Sequence, residues 1–130
     1  MSHWDLRRAL IDWDLGADGL WFDNRAYARD QKLLPDGSIT GPPQEEISAA
    51  AGELDRVSDS THRALTSWNR LGEQLLGPRP PADAEEQLPM FYDEKKRLAQ
   101  VVANELGRGW TVTWRDSDGV EHACATEVGD

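Results

Sequence analysis

The sequence predicts an α+β protein that is mainly helical, with one long central helix, a small internal hairpin and a C-terminal antiparallel β-hairpin. Three observations predict this fold class. Apolar residues recur every seventh position over residues 43–76, which is the spacing of one helical face. Residues 110–114 instead alternate with a period of two, which is typical of a strand. With 130 residues, 38% of them hydrophobic, the chain suits a single globular domain over 1–130.

The N-terminal part predicts a helix over residues 2–15, in which Leu6, Leu10 and Trp13 share one face and Ser2 caps the first turn. The helical period weakens after this segment. We therefore expect an irregular stretch, which contains Leu20, Trp21 and Phe22.

A short helix is expected next, from Asn24 to Arg29. Between residues 32–34 and 38–40, the sequence Pro-Asp-Gly at 35–37 favours the dihedral angles of a tight turn. This turn predicts the small internal hairpin.

The long central helix is predicted from Pro43 to Leu76, at about 1.5 Å per residue on the order of 50 Å in length. Two sets of residues seven positions apart form its apolar seam: Ile47, Leu54, Thr61, Trp68 and Leu75, and Ala50, Val57, Ala64 and Leu71. The positions that flank the seam carry almost no charge, whereas charges there usually select a partner helix. A monomer that buries this helix in its own core is therefore favoured, and a helical homodimer is the alternative.

The C-terminal half begins with a proline-rich, then acidic, connector over 77–87. A last helix is expected over 89–106. The strand at 110–114, the turn at 116–119 and a return strand over 120–128 then complete the C-terminal hairpin.

The charge of the chain limits its partners. There are 24 acidic and 14 basic side chains, which give a net charge of -10. Such a surface repels phosphate, so direct binding to nucleic acid or to an anionic membrane is not expected, whereas a basic protein would be attracted. No segment approaches the roughly 18 apolar residues of a membrane span. The lone Cys124 fits a reducing compartment, and a cytoplasmic location is predicted.

The sequence offers little for catalysis or metal binding. His122 and Cys124 would share one face of a strand, but a metal site needs about three or four ligands. If Asp14 began a calcium loop, the closing acidic position would fall on Arg25, a cation. No catalytic residue, metal ligand or cofactor is therefore predicted.

The residues that best fit a binding role lie where the helical period breaks. The candidate partner-binding residues are Asp12, Asp14, Asp18, Trp21 and Asp23. Aromatic rings offer rigid contact area and cation-π faces to Lys or Arg, and carboxylates steer a basic partner. The competing interpretation, which applies to Trp21 as well as to Trp13 and Phe22, is that these rings only close the core.

These features predict a non-catalytic acidic protein-binding module. By charge and size alone, an inhibitor of the immunity or antitoxin type that acts on a basic partner is an example. One alternative is a small-molecule-binding protein or small enzyme with a pocket lined by some of the six tryptophans. Another is an acidic mimic of nucleic acid.

Overall fold

Helices and one mixed sheet make up the computed structural model, which describes residues 4–124. The strands are β1 (Arg8–Ile11), β2 (Leu20–Phe22), β3 (Thr111–Arg115) and β4 (Glu121–Ala123). The helices are α1 (Arg25–Ala28), α2 (Gln44–Gly52), α3 (Asp59–Leu76) and α4 (Ala84–Leu106). The α+β class is thus confirmed, and α1 agrees with the short helix expected from Asn24 to Arg29.

The sheet has the strand order β2-β1-β3-β4. Strand β1 pairs antiparallel with β2 and parallel with β3, while β3 pairs antiparallel with β4. The predicted helix over 2–15 is therefore wrong, because β1 occupies its centre. Ala9 and Ile11 are fully buried against the helices, and Leu10 between them points to the outer face, which is the alternation of a strand. The expected cap, Ser2, lies outside the described residues.

The single long helix predicted over 43–76 is only partly right. Helix α2 ends in a 3-10 turn at Glu53–Arg56, and Val57 is extended, with φ -73° and ψ 122°. The hydroxyl of Ser58 then caps α3 by accepting a hydrogen bond from the Thr61 amide at 3.3 Å. This cap begins a new helix, so the two parts of the seam belong to different helices.

Helix α4 begins at Ala84, five residues before the expected start at Pro89, so the connector predicted over 77–87 is shorter. Proline disrupts helices when it lies deep inside them. Here Pro89 lies in the second turn of α4 on an exposed position.

The predicted hairpins are present, with one difference. Leu33 and Ile39 form the bridge of the internal hairpin. Strands β3 and β4 pair as the C-terminal hairpin, but β3 also pairs with β1, so this hairpin is half of the sheet. The return strand is described only at Glu121–Ala123, and residues 125–128 lie outside the described part. None of the helices between residues 4 and 124 combines the length and apolar character that crossing a membrane requires.

The main core lies between the inner face of the sheet and the pair α3 and α4. The Trp68 ring stacks on Phe91 with centroids 4.7 Å apart, and its Nε1–H donates to the Phe91 carbonyl at 3.0 Å. Trp110 covers the other end of this core and is 3% exposed. These two tryptophans therefore hold the layers together.

Candidate functional site

The five predicted partner-binding residues separate into two groups in the structure. Asp14, Asp18 and Trp21 are exposed on the β1–β2 hairpin. Asp12 is half-buried and Asp23 is buried, and both form ion pairs inside the molecule. Only the first group is thus exposed to solvent without an ion pair among the described residues.

The loop between β1 and β2 is fixed to helix α3. Asn69, which is fully buried, donates through Nδ2 to the Asp14 carbonyl at 2.8 Å and accepts from the Asp14 amide at 3.0 Å. The Gly16 amide donates to a Glu73 carboxylate oxygen at 2.7 Å. Sequence reasoning missed Asn69, although a polar residue beside Trp68 on the apolar side of a helix is the signal that could have found it.

Small residues allow the loop to lie close to α3. A Cβ atom on Gly72 would come within 2.8 Å of the Trp13 ring and within 2.9 Å of the Phe91 ring. Gly19 has a φ of 89°, and a Cβ there would meet the Leu65 carbonyl oxygen at 3.0 Å. Trp13 therefore packs against the core, as the competing interpretation of this ring expected.

The exposed part of this hairpin forms a mixed apolar and acidic surface, which we call the hairpin surface: Asp14, Leu15, Asp18 and Trp21. Trp21 is 39% exposed and Leu15 61% exposed. The Trp21 Nε1–H donates to the Asp12 carbonyl at 3.0 Å, which satisfies the only polar atom of the ring and fixes its orientation. The Asp14 carboxylate accepts from the Leu15 amide, and that of Asp18 from the Leu20 amide.

Asp12 neutralises a buried cation. Its Oδ1 lies 3.0 Å from Nζ of Lys95, a residue that is only 2% exposed. The same ammonium group lies 5.7 Å from the centroid of the Trp68 ring and 5.5 Å from that of Tyr92. Burial lowers the pKa of Lys95 although the Asp12 carboxylate opposes this shift. Asp12 thus stabilises the interior rather than facing a partner.

Asp23 is held in a second ion pair, at the other end of β2. Its carboxylate accepts from Arg25 Nε at 2.8 Å and from Arg25 Nη2 at 2.7 Å. Arg8 Nε lies 3.8 Å from the same carboxylate. The hydrogen bond from Arg25 lowers the pKa of Asp23 to about 2. Asp23 is therefore a structural anion.

The Asp23 pair predicts a specific acid dependence of stability. A carboxyl whose pKa is lowered by folding stabilises the protein above its unfolded value, and this contribution is lost as the pH falls through the folded value. Relative to the wild type, Asp23→Asn should lose about 2 kcal/mol of unfolding free energy at pH 7, since one pKa unit corresponds to about 1.4 kcal/mol. This difference should shrink toward zero as the pH falls to about 2.

Urea unfolding measured from pH 2 to pH 7 checks this expectation. Asp18→Asn, which removes an exposed carboxylate outside any ion pair of the described residues, is the matched control and should run parallel to the wild type. A difference between Asp23→Asn and the wild type that did not depend on pH would contradict the expected role of Asp23.

His122 and Cys124 both line a groove of about 570 Å³ between β4 and α4. His122 Nε2 lies 2.7 Å from an Asp116 carboxylate oxygen, and its ring stacks on Trp114 with centroids 4.6 Å apart. Burial raises the pKa of the Cys124 thiol, which disfavours the nucleophilic thiolate. In residues 4–124, no group of three or more His, Cys, Asp or Glu side chains is arranged to hold a metal ion.

Comparison with known proteins adds no family assignment to this geometry. The chain matches no protein-family model, and no significant match to a curated protein or to a solved structure was found.

Proposed function

We propose that this protein is a non-catalytic binding module that contacts a basic partner protein through the hairpin surface, as a small inhibitor of the immunity or antitoxin type would. The observation that carries the proposal is the state of Trp21. Its ring is 39% exposed, while its Nε1–H is already bonded within the molecule. A fixed, exposed indole offers large contact area at little entropic cost, and such rings dominate the energetics of many interfaces.

The surroundings of Trp21 favour a cationic partner. Asp14 and Asp18 are exposed on the same hairpin, and the whole chain carries a net charge of -10. An Arg or Lys side chain of the partner could stack on the indole and pair with a carboxylate. The general acidic field would speed the encounter.

The anchoring of the loop supports the same proposal. Asn69 and Glu73 bond to the backbone of the loop from helix α3, so the hairpin surface needs little ordering when a partner binds. Preorganisation of this kind improves affinity because less conformational entropy is lost on association. The proposal includes a cytoplasmic location, where a free thiol such as Cys124 stays reduced.

A pocket lined by tryptophans is less well supported. Trp68 and Trp110 are each 3% exposed and belong to the core, and Trp13 packs against Gly72. Of the described tryptophans, Trp114 lines the groove between β4 and α4. An acidic mimic of nucleic acid would be one form of the proposed interaction, because it also occupies a basic protein surface.

Trp21→Ala tests the proposal. A partner captured from host lysate by the wild-type protein should bind the variant with about 30-fold lower affinity, which corresponds to a loss of about 2 kcal/mol at an interface anchor. The free energy of unfolding should change by less than about 1 kcal/mol, because the ring is partly exposed in the free protein. Kinetics by surface plasmon resonance and urea unfolding measure the two quantities.

Leu33→Ala is the matched control, since Leu33 is 74% exposed on the other hairpin. This variant should bind the partner as the wild type does. The association rate should also fall between low and physiological salt, because screening acts over a Debye length of about 8 to 10 Å. Equal affinities for the wild type and Trp21→Ala, or unfolding caused by Trp21→Ala, would contradict the proposal that the hairpin surface binds the partner.

A further inference from the structure

A cavity rich in arginine lies on the outer side of the sheet, at the end of the β1–β2 hairpin opposite the hairpin surface. It has a volume of about 630 Å³ and is lined by Arg8, Asp23, Arg25, Ala28, Arg29 and Glu121. Three cations and two anions give this cavity a positive balance, whereas the whole chain has a net charge of -10. The volume falls within the range of about 300 to 1,000 Å³ of small-molecule sites.

The two carboxylates of the cavity are already paired. Arg25 binds Asp23 through two hydrogen bonds, and its Nη2 also donates to a Glu121 oxygen at 3.0 Å. Arg115 Nε lies 3.7 Å from the other Glu121 oxygen. Because Asp23 and Glu121 are neutralised within the protein, their carboxylates are not available to bind a cationic ligand in the cavity.

The arginines, by contrast, have unused donors. The Arg29 side chain is exposed and makes no hydrogen bond or ion pair within residues 4–124. Arg8 is held by Asp5 at 3.1 Å through Nη1, and no contact of its Nη2 is found among the described residues. Each guanidinium carries five N–H donors in a planar fork, the geometry that binds phosphate or carboxylate oxygens in pairs. Arg8 and Arg29, which both keep unused donors, thus line the same cavity.

A hydroxyl on the outer face of the sheet also satisfies one of the two carboxylates of the cavity. Thr113 pairs in register with Leu10 and lies on the same face as Arg8. Its hydroxyl contributes to lowering the pKa of Glu121, which adds to the neutralisation of that carboxylate by Arg25 and Arg115.

We infer that this cavity binds a small organic molecule through an oxyanion, a phosphate or a carboxylate, with Arg29 and Arg8 as the binding donors. Arg25 is a positioning residue, since Asp23 and Glu121 fix its guanidinium at the wall of the cavity. Selectivity for a small anion over a nucleic acid follows from the net charge of -10 on the whole chain, which repels a polyanion. This site is independent of the hairpin surface.

The inference is tested by titrating the isotope-labelled protein with inorganic phosphate, and separately with succinate, at constant ionic strength. Chemical shifts of the arginine Nε–H groups and of the backbone amides of the lining residues Arg8, Arg29 and Glu121 report binding. We expect saturable shifts confined to these groups for at least one of the two anions. Saturation by phosphate alone assigns a phosphate group, saturation by succinate alone assigns a carboxylate, and saturation by both assigns a general oxyanion site.

Arg29→Gln should weaken this binding at least fivefold, because it removes the guanidinium that has no partner. Arg70→Gln is the matched control: Arg70 is exposed on α3, outside the cavity, and also makes no bond within the described residues. It should bind as the wild type does. Shifts that do not saturate with either anion, or equal weakening by Arg29→Gln and Arg70→Gln, would overturn the inference.

Discussion

Replacement of Phe91 by alanine should lower the free energy of unfolding by about 3 to 5 kcal/mol, the usual cost of removing a large aromatic ring from a core. Phe91 is fully buried and stacks on Trp68. Its ring also meets that of Tyr92 edge-on, with centroids 5.3 Å apart. The variant would leave a cavity where α3, α4 and the β1–β2 loop meet. Urea unfolding monitored by tryptophan fluorescence measures the loss.

The neighbouring Met90 provides the control for this prediction. Met90 is 62% exposed on the same helix, so Met90→Ala should change stability by less than about 0.5 kcal/mol. Both variants keep a good helix former at the substituted position. A loss below about 1 kcal/mol for Phe91→Ala would mean that the α3–α4 contact is not packed as described.

The spacing of the apolar residues predicted most of the helices and strands that bury one face in the core. Leu98 and Val102 of α4 are both buried. The alternation at residues 110–114 corresponds to strand β3. Turn residues were also informative, since Gly37 has the positive φ of 90° that its turn requires. In these segments local preference and tertiary packing agree, which is why the sequence is sufficient there.

The first strand could not be predicted in the same way. Leu6, Leu10 and Trp13 have helical spacing, but β1 is only four residues long and lies between two other strands. Its pairing with β3 joins residues about a hundred positions apart, and no local signal encodes such a contact. The break after α2 was hidden for a similar reason, because the apolar seam continues across Val57 while the backbone does not remain helical.

Long-range contacts also limited how well the sequence could predict the candidate site, most clearly at Asp12. Asp12 looks like a surface carboxylate in the sequence, yet its partner Lys95 is 83 positions away. Asp23 is paired with Arg25 only two positions away, and in this cluster only the further bond from Arg25 to Glu121 is long-range. Asp14 and Asp18 differ from them because they lie in the exposed loop between β1 and β2, whereas Trp21 is an exposed residue of strand β2 itself. The distribution of cations in the fold therefore decides which of these acids are paired within the protein and which remain exposed.

Asp12→Asn should destabilise the protein by about 3 to 5 kcal/mol at pH 7, because it leaves the ammonium group of Lys95 buried without a counter-charge. Burial lowers the pKa of Lys95 in the folded state, so the unfolded chain binds more protons between the folded and unfolded values. Stability should therefore rise with pH through this alkaline interval, and more steeply in Asp12→Asn, where the opposing carboxylate is absent. Urea unfolding at pH 7 and at pH 9.5 measures both effects.

The double variant Asp12→Asn/Lys95→Met separates the lost charge pair from lost packing. Methionine fills much of the volume of the lysine stem and brings no charge, so the double variant should recover most of the stability that Asp12→Asn loses. Asp14→Asn removes an exposed carboxylate from the same loop and should change stability by less than about 1 kcal/mol. If Asp12→Asn were as mild as Asp14→Asn at both pH values, Lys95 would be hydrated rather than buried. Asp12 would then be free for a partner, as its place in the sequence suggests.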